Sequence, residues 1–276
     1  MDVDAYLPFV CPAVVALAAH PLAERLPPRT ASWVLTVLAA GVAVASLVPL
    51  FALARGHLLA ALTFAAAVAG AASAAYGQAH ALRSARRRAR DLPGDGVVAV
   101  VADDRIDAYS VPGRVVVSTG MLDALDPDER RVLFAHEAAH LSGRHHLFRA
   151  VVRVASAANP LLWPMRRALW YATERWADER AATAVGDRVM AAQVIGKVAL
   201  ASGGVSPVRM GIGAARPGPV PRRVAALLRP PPRRRIGLTL AALGLLLCSG
   251  LTAQDLIGDV KHGPAKIDVV AEHAPH

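Results

Sequence analysis

His136-Glu137-Ala138-Ala139-His140 is the stretch from which the rest of the chain can be read. It follows Asp126-Pro127-Asp128-Glu129-Arg130-Arg131-Val132-Leu133-Phe134-Ala135. That lead-in has the form of a helix start: Asp126 at the N-cap, Pro127 at the first helical position and Glu129 where a capping-box acid falls. On such a helix His136 and His140 stand at i and i+4, so both imidazoles project from one face. Two neutral imidazoles at this spacing can hold one zinc ion, and Glu137 beside them is placed to take a proton from water there. Taken alone, the five residues also fit two surface histidines on an amphipathic helix.

A catalytic zinc takes three protein ligands and keeps one position open. Glu174-Arg175-Trp176-Ala177-Asp178 supplies a candidate third ligand from a second helix. Glu174 and Asp178 are again i and i+4. With Glu174 on the metal, Asp178 lies one turn on and can accept the free ring N–H of a ligand histidine. The alternative is that both acids are solvated partners of Arg175 and Arg180. Upstream, Val97–Val101 reads as a strand, and Ala108–Ser118 as a strand pair turning at Pro112-Gly113. A short sheet beside the histidine helix presents an edge to which an extended peptide can add as a further strand.

These segments, Ala108-Tyr109-Ser110, Val115-Val116-Val117-Ser118-Thr119-Gly120, the H-E-x-x-H and Glu174-x-x-Ala177-Asp178, resemble the integral-membrane zinc peptidases of the BlaR/MecR antirepressor family, with HtpX-type membrane peptidases as more distant relatives. The resemblance covers about residues 30–200. It implies His136, His140 and Glu174 as zinc ligands, Glu137 as the catalytic base and a cytoplasmic transcriptional repressor as the protein substrate. The chain departs from the best-known members in carrying only a short segment after the last expected span, with no Ser-x-x-Lys, so direct β-lactam sensing is not expected. An oxyanion-stabilising side chain is also expected, with Tyr109, His145 and Arg180 as candidates.

Composition agrees with a membrane protein. The chain is 54% hydrophobic, only 5% aromatic, and has a mean hydropathy of +0.37. Tyr6–Ala19 reads as a short first span kinked by Pro8 and Pro12; Asp2 and Asp4 stand where a signal peptide would carry basic residues. Ala31–Ala54 and Leu58–Ala79 are uncharged runs long enough for a ~30 Å hydrocarbon layer, joined by Arg55-Gly56-His57. In the second run Ala66, Gly70 and Ala74 form a small-residue row suited to close helix packing. The basic cluster Arg83–Arg90 then marks the cytoplasmic side. It lacks the aromatic interleaving of a nucleic-acid surface, so no direct nucleic-acid binding is expected.

Further along, His145 and His146 are expected to face solvent or lipid headgroups. Leu147–Trp163, with Arg149 and Arg153, is expected to form an amphipathic, interfacial helix ended by Pro160 and Pro164, while Trp163, Trp170, Tyr171 and Trp176 suit either a membrane interface or a core. Ser206–Arg235 reads as a Pro/Arg-rich linker or mobile loop, and Ile236–Ala253 as the last span. Cys11 and Cys248 sit in apolar runs and imply no disulfide, and His262, His273 and His276 carry no metal-ligand order.

The expected fold is a mainly α membrane protein, with transmembrane helices and a small α+β zincin-like catalytic domain. The expected organisation is 1–82 N-terminal spans, 83–203 zinc metallopeptidase domain, 204–235 linker, 236–253 C-terminal span and 254–276 polar tail. The expected activity is that of a multi-pass zinc endopeptidase in the cell membrane, its catalytic domain facing the cytoplasm. An HtpX-like quality-control protease and a catalytically silent membrane sensor are the rival readings; the intact Glu137 argues against the last.

Overall fold

The computed structural model describes residues 7–201, 220–231, 236–242 and 244. Most of the expected linker 204–235, most of the expected span 236–253, the tail 254–276, Cys248 and the three C-terminal histidines lie outside the described residues, as do Asp2 and Asp4.

The architecture is mainly helical. Helices α1 (Leu7–Arg25), α2 (Pro28–Leu53) and α3 (Leu58–Arg90) lead into strands β1 (Val98–Val101), β2 (Ala108–Val111) and β3 (Arg114–Ser118). Then come α4 (Thr119–Ala124), α5 (Pro127–Ser142), α6 (His145–Ala158), α7 (Trp163–Val185), α8 (Arg188–Ala201) and α9 (Val220–Leu227). Among the described residues, α2 and α3 are long and apolar enough to cross a membrane by length and composition.

The first helix runs past the expected boundary at Ala19, through His20 and Pro21, to Arg25. Its Val15, Ala19 and Ala23, and Leu26 just after it, are buried in a core shared with α2, α6 and α7. That core holds the fully buried Leu35 and Leu38 of α2 and Met165 and Leu169 of α7. The third helix has no break where apolar residues give way to basic ones: 33 residues run on to Arg90, about 50 Å at 1.5 Å per residue. The expected domain boundary at 82/83 therefore falls inside one helix. Only Ala67 and Ala89 of it are buried, while Leu58, Leu59, Leu62, Val68 and Tyr76 are exposed.

The small-residue row on α3 faces α6, shifted from the expected register. Ala66 is exposed and Ala67 buried, whereas Gly70 sits so close to α6 that a Cβ there would stand 2.8 Å from the Ala157 carbonyl oxygen.

Helix α6 departs further from expectation. It ends at Ala158 and is a packed internal helix, with Phe148, Val152 and Ala155 buried against α2 and α7. Its two arginines point inward or into clefts, as described below, and do not simply mark a headgroup face. Pro164 opens α7 in the first turn, where its missing N–H has no cost. Residues 220–227, expected within a loop, are helical.

The sheet order is β1-β3-β2, with β1 parallel and β2 antiparallel to β3. The β2–β3 turn has Pro112 at its first corner and Gly113, φ +89°, at its second, the pairing a type II turn requires. Val115 and Val117 face Leu125 and Leu133, so the sheet packs on α4 and α5. Strand β2 pairs on one side only and lies next to α5.

Gly70→Ala should lower the thermal midpoint in detergent, because a methyl group must displace backbone at Ala157, an overpacking cost of about 1–3 kcal/mol. Gly77→Ala, where a Cβ meets nothing within 4 Å, should be neutral or stabilising by up to about 1 kcal/mol.

Candidate metal centre

Helix α5 begins as its sequence dictates. Asp126 Oδ1 accepts from the backbone N–H groups of Asp128 (3.0 Å) and Glu129 (2.8 Å), and Glu129 Oε2 accepts from the Asp126 N–H at 2.9 Å. This reciprocal cap, of order 0.5–2 kcal/mol, fixes the rotation of the helix. His136, Glu137 and His140 follow within the next three turns.

Helix α7 lies alongside and brings Glu174 and Asp178 to the same place. Glu174 and Asp178 are 4% and 1% exposed, too buried to be solvated partners of surface arginines. His136 Nε2 and His140 Nε2 stand 3.2 Å apart, and the Glu174 carboxylate lies 3.7 Å from the first and 3.5 Å from the second. Ligand atoms held about 2.0–2.1 Å from a tetrahedral zinc are about 3.3–3.4 Å from one another. Two imidazole lone pairs and a carboxylate converging at these separations fit a cation, and the three residues could hold a metal ion.

The outer nitrogens are also engaged. His136 Nδ1 is 3.1 Å from Asp178 Oδ1, in ion-pair range though outside hydrogen-bond alignment. His140 Nδ1 is 2.7 Å from His145 Nδ1. This corrects the expected place of His145, which is 1% exposed and in contact with His140 rather than with solvent. The corner between α5 and α6 makes it possible. Arg144 adopts a left-handed conformation, φ 50°, and turns the chain back. Gly143 leaves room for the ring, since a Cβ there would lie 2.4 Å from His145 Nε2. If His140 Nε2 faces a metal, its Nδ1 carries the proton and donates to His145. His145 is then protonated at Nε2, a buried atom without a partner.

Two arginines not foreseen at the site surround Glu174. Arg149 Nη2 donates to its Oε1 at 2.7 Å, and Arg223 Nη1 lies 2.9 Å from its Oε2. Arg223 also donates through Nε (2.8 Å) and Nη2 (2.6 Å) to both oxygens of Asp178. It reaches in from α9 and is buried. The sequence does hold a signal for it: Val220, Arg223, Val224 and Leu227 share one helical face, so Arg223 goes inward with the apolar residues. Of the oxyanion candidates, Tyr109 and His145 line the same cavity as His136 and Glu137. Arg180 is exposed and does not.

The electrostatics follow from burial and these partners. Burial pulls His136 down, but the Asp178 and Glu174 carboxylates outweigh it and hold the imidazole up at about 9. Burial would lift Glu174 and Asp178; Arg223 foremost holds both below the usual carboxylate range. Burial lifts Glu137 above that range. Burial and then the Arg149 charge push His145 down to about 3, so it is neutral.

Arg223→Leu leaves two buried carboxylates short of their main counter-charge and should cost about 3–5 kcal/mol of stability. Denaturant unfolding of chelator-treated protein measures it. The exposed Arg180→Leu should stay within about 0.5 kcal/mol of wild type.

No curated protein and no solved structure gives a significant match to the chain. Residues 71–206 match the model of peptidase family M48. The match takes in the second half of α3, the whole sheet, and α5, α6 and α7 with the His-His-Glu cluster. It stands at the level of that family rather than of the antirepressor subtype. Residues 71–206 are therefore a peptidase family M48 domain, the framework of a metallopeptidase.

Proposed function

We propose that the protein is a membrane-embedded zinc endopeptidase that cleaves an extended segment of a protein substrate on the cytoplasmic side. The observation that carries this reading is the convergence of His136, His140 and Glu174 within 4.8 Å in a cavity that also contains Glu137 and is bordered by β2.

In this reading His136, His140 and Glu174 hold the ion, and Asp178 and His145 orient the two imidazoles. Zinc, when bound, supplies a Lewis acid and lowers the pKa of water at the centre. Glu137 takes the proton from the attacking water and passes it to the leaving amine. Burial favours its protonated form, which suits a group that must hold a proton and then release it. Substrate main chain adds to the outer edge of β2, in line with the cavity. Tyr109 or His145 is the candidate to meet the developing oxyanion.

Membrane embedding is supported by α2 and α3 and by the exposed apolar side chains along α3, a surface that lipid would cover. The basic cluster Arg83–Arg90 at the end of α3 supports a cytoplasmic catalytic domain. The resemblance to antirepressor peptidases makes a cytoplasmic repressor the first substrate class to test. A second substrate class is misfolded membrane proteins, by the weaker likeness to HtpX-type peptidases; the M48 match is compatible with both.

Purified protein should carry about one zinc per chain. Glu174→Ala should lose it, while Glu137→Gln should retain it and lose about 10²–10⁴-fold in peptide cleavage. Full metal content and full activity in Glu174→Ala would remove Glu174 from the ligand set. In cells, intact repressor accumulating only with Glu137→Gln supports regulated proteolysis; accumulating misfolded membrane proteins would support the quality-control reading. Reporter fusions at about residue 95 should read cytoplasmic, and a periplasmic or extracellular signal there would reverse the orientation.

A further inference from the structure

A second cavity, with ≈ 610 Å³ of room, opens between α3, the C-terminal half of α6 and the start of α7. Ser73 and Gln78 of α3, Arg153 of α6, and Trp163 and Arg166 of α7 supply its polar and aromatic wall, and Gly77 leaves its α3 side open. Among the described residues, no acidic one lines it.

Its arginines differ from those elsewhere in the protein. Among the described residues, the other buried or half-buried arginines, Arg114, Arg130, Arg149, Arg175, Arg188 and Arg223, each donate to a carboxylate or a backbone carbonyl. Arg153 and Arg166 are half-buried and have no such acceptor; Arg166 has only the ring of Trp163, 5.9 Å away. Burial and then the charge of Arg153 both work against the Arg166 cation. On the same wall Gln78 Oε1 is buried with no hydrogen-bond partner. Two guanidinium groups lacking an anion, next to an acceptor lacking a donor, define complementary chemistry: an anionic oxygen group that also carries a hydroxyl or ammonium hydrogen.

We propose that this cavity binds a phosphate group, with Arg153 and Arg166 on the phosphate oxygens and Gln78 accepting from a neighbouring hydroxyl or ammonium of the same ligand. The position along α3 favours a phospholipid headgroup as its source, and this choice of source rests on the membrane reading above. Ser73–Gln78 precede the basic cluster that starts at Arg83 by about one and a half to three turns, about 8–15 Å. That is the depth at which an apolar span gives way to phosphates, and where arginine beside hydrocarbon needs a counter-anion. Arg supplies the forked donors that phosphate matches, and Trp163, 65% exposed, has the amphipathic ring suited to the same layer.

The test uses the full chain. Native mass spectrometry from mixed phosphatidylcholine–phosphatidylglycerol micelles counts retained lipid. A parallel arm titrates inorganic phosphate into lipid-free detergent and follows the thermal midpoint. Wild type should retain phosphatidylglycerol, and Arg153→Gln/Arg166→Gln should lose at least about tenfold in retention, the effect of one charge-assisted hydrogen bond or more. Unchanged zinc content in the double variant shows that the peptidase domain is intact; if it is not, the two single variants are read in the same way. Arg153→Lys/Arg166→Lys should recover part of the binding. Stabilisation by inorganic phosphate that depends on both arginines, without lipid retention, would assign the site to a free phosphate compound. Binding in neither arm that responds to Arg153 and Arg166 overturns the proposal. Carbonate extraction is scored separately: a chain released from the membrane that still binds phosphate through these arginines loses the membrane reading and keeps the site.

Discussion

Glu174 and Asp178 are almost fully buried, one helical turn apart, and two carboxylates in such a place are tolerable only if cations come to them. Arg149 from α6 and Arg223 from α9 do so, with His136 from α5. Removing the partner of a buried ion costs several kcal/mol because the remaining charge has lost both water and counter-ion. The requirement draws three separate helices onto one face of α7. It also sets the charges of the centre before any metal binds: Glu174 and Asp178 face the permanent cations Arg149 and Arg223, with His136 beside them.

A second layer of constraint comes from the imidazoles. A histidine ligand is only as well placed as the partner of its other nitrogen. The partner of His136 is a carboxylate on α7, and the partner of His140 is a neutral imidazole at the start of α6. The left-handed Arg144 and the missing side chain of Gly143 bring that imidazole within reach. The chain accepts backbone strain of order 1–3 kcal/mol at one residue, and by doing so holds the His140 ring by its outer edge.

The apolar helices are not appended to this centre. Leu35 and Leu38 of α2 share one core with Met165 and Leu169 of α7, and Arg175 of α7 donates to the Ala23 and Glu24 carbonyls at the end of α1. The helix that presents Glu174 is thus packed on α1 and α2 along much of its length. Close packing transmits displacement with little loss, so the position of α7, and with it the third candidate ligand, depends on how α1 and α2 sit.

What the sequence determined by itself was local. The cap at Asp126–Glu129, the i, i+4 placement of His136 with His140 and of Glu174 with Asp178, the turn at Pro112-Gly113 and the length of α2 all follow from the periodicity and capping chemistry of contiguous residues. The side on which a charged residue lies did not follow. Arg149 and Arg153 occupy neighbouring turns of one amphipathic helix; in one dimension both read as surface cations, yet one meets Glu174 and the other faces a cavity. Along one continuous helix from His136, His145 would fall off the ligand face, but the chain turns at Gly143-Arg144 and begins a new helix that brings it back. Arg223 lies in a stretch whose prolines and arginines suggest a loop; the spacing of Val220, Val224 and Leu227 puts it on an inward face, but the acid it meets, Asp178, lies forty-five residues earlier and is fixed only by the packing of α9 on α7. Partners chosen by charge across long separations are decided by tertiary packing, because the desolvation cost that selects them exists only after the core has closed.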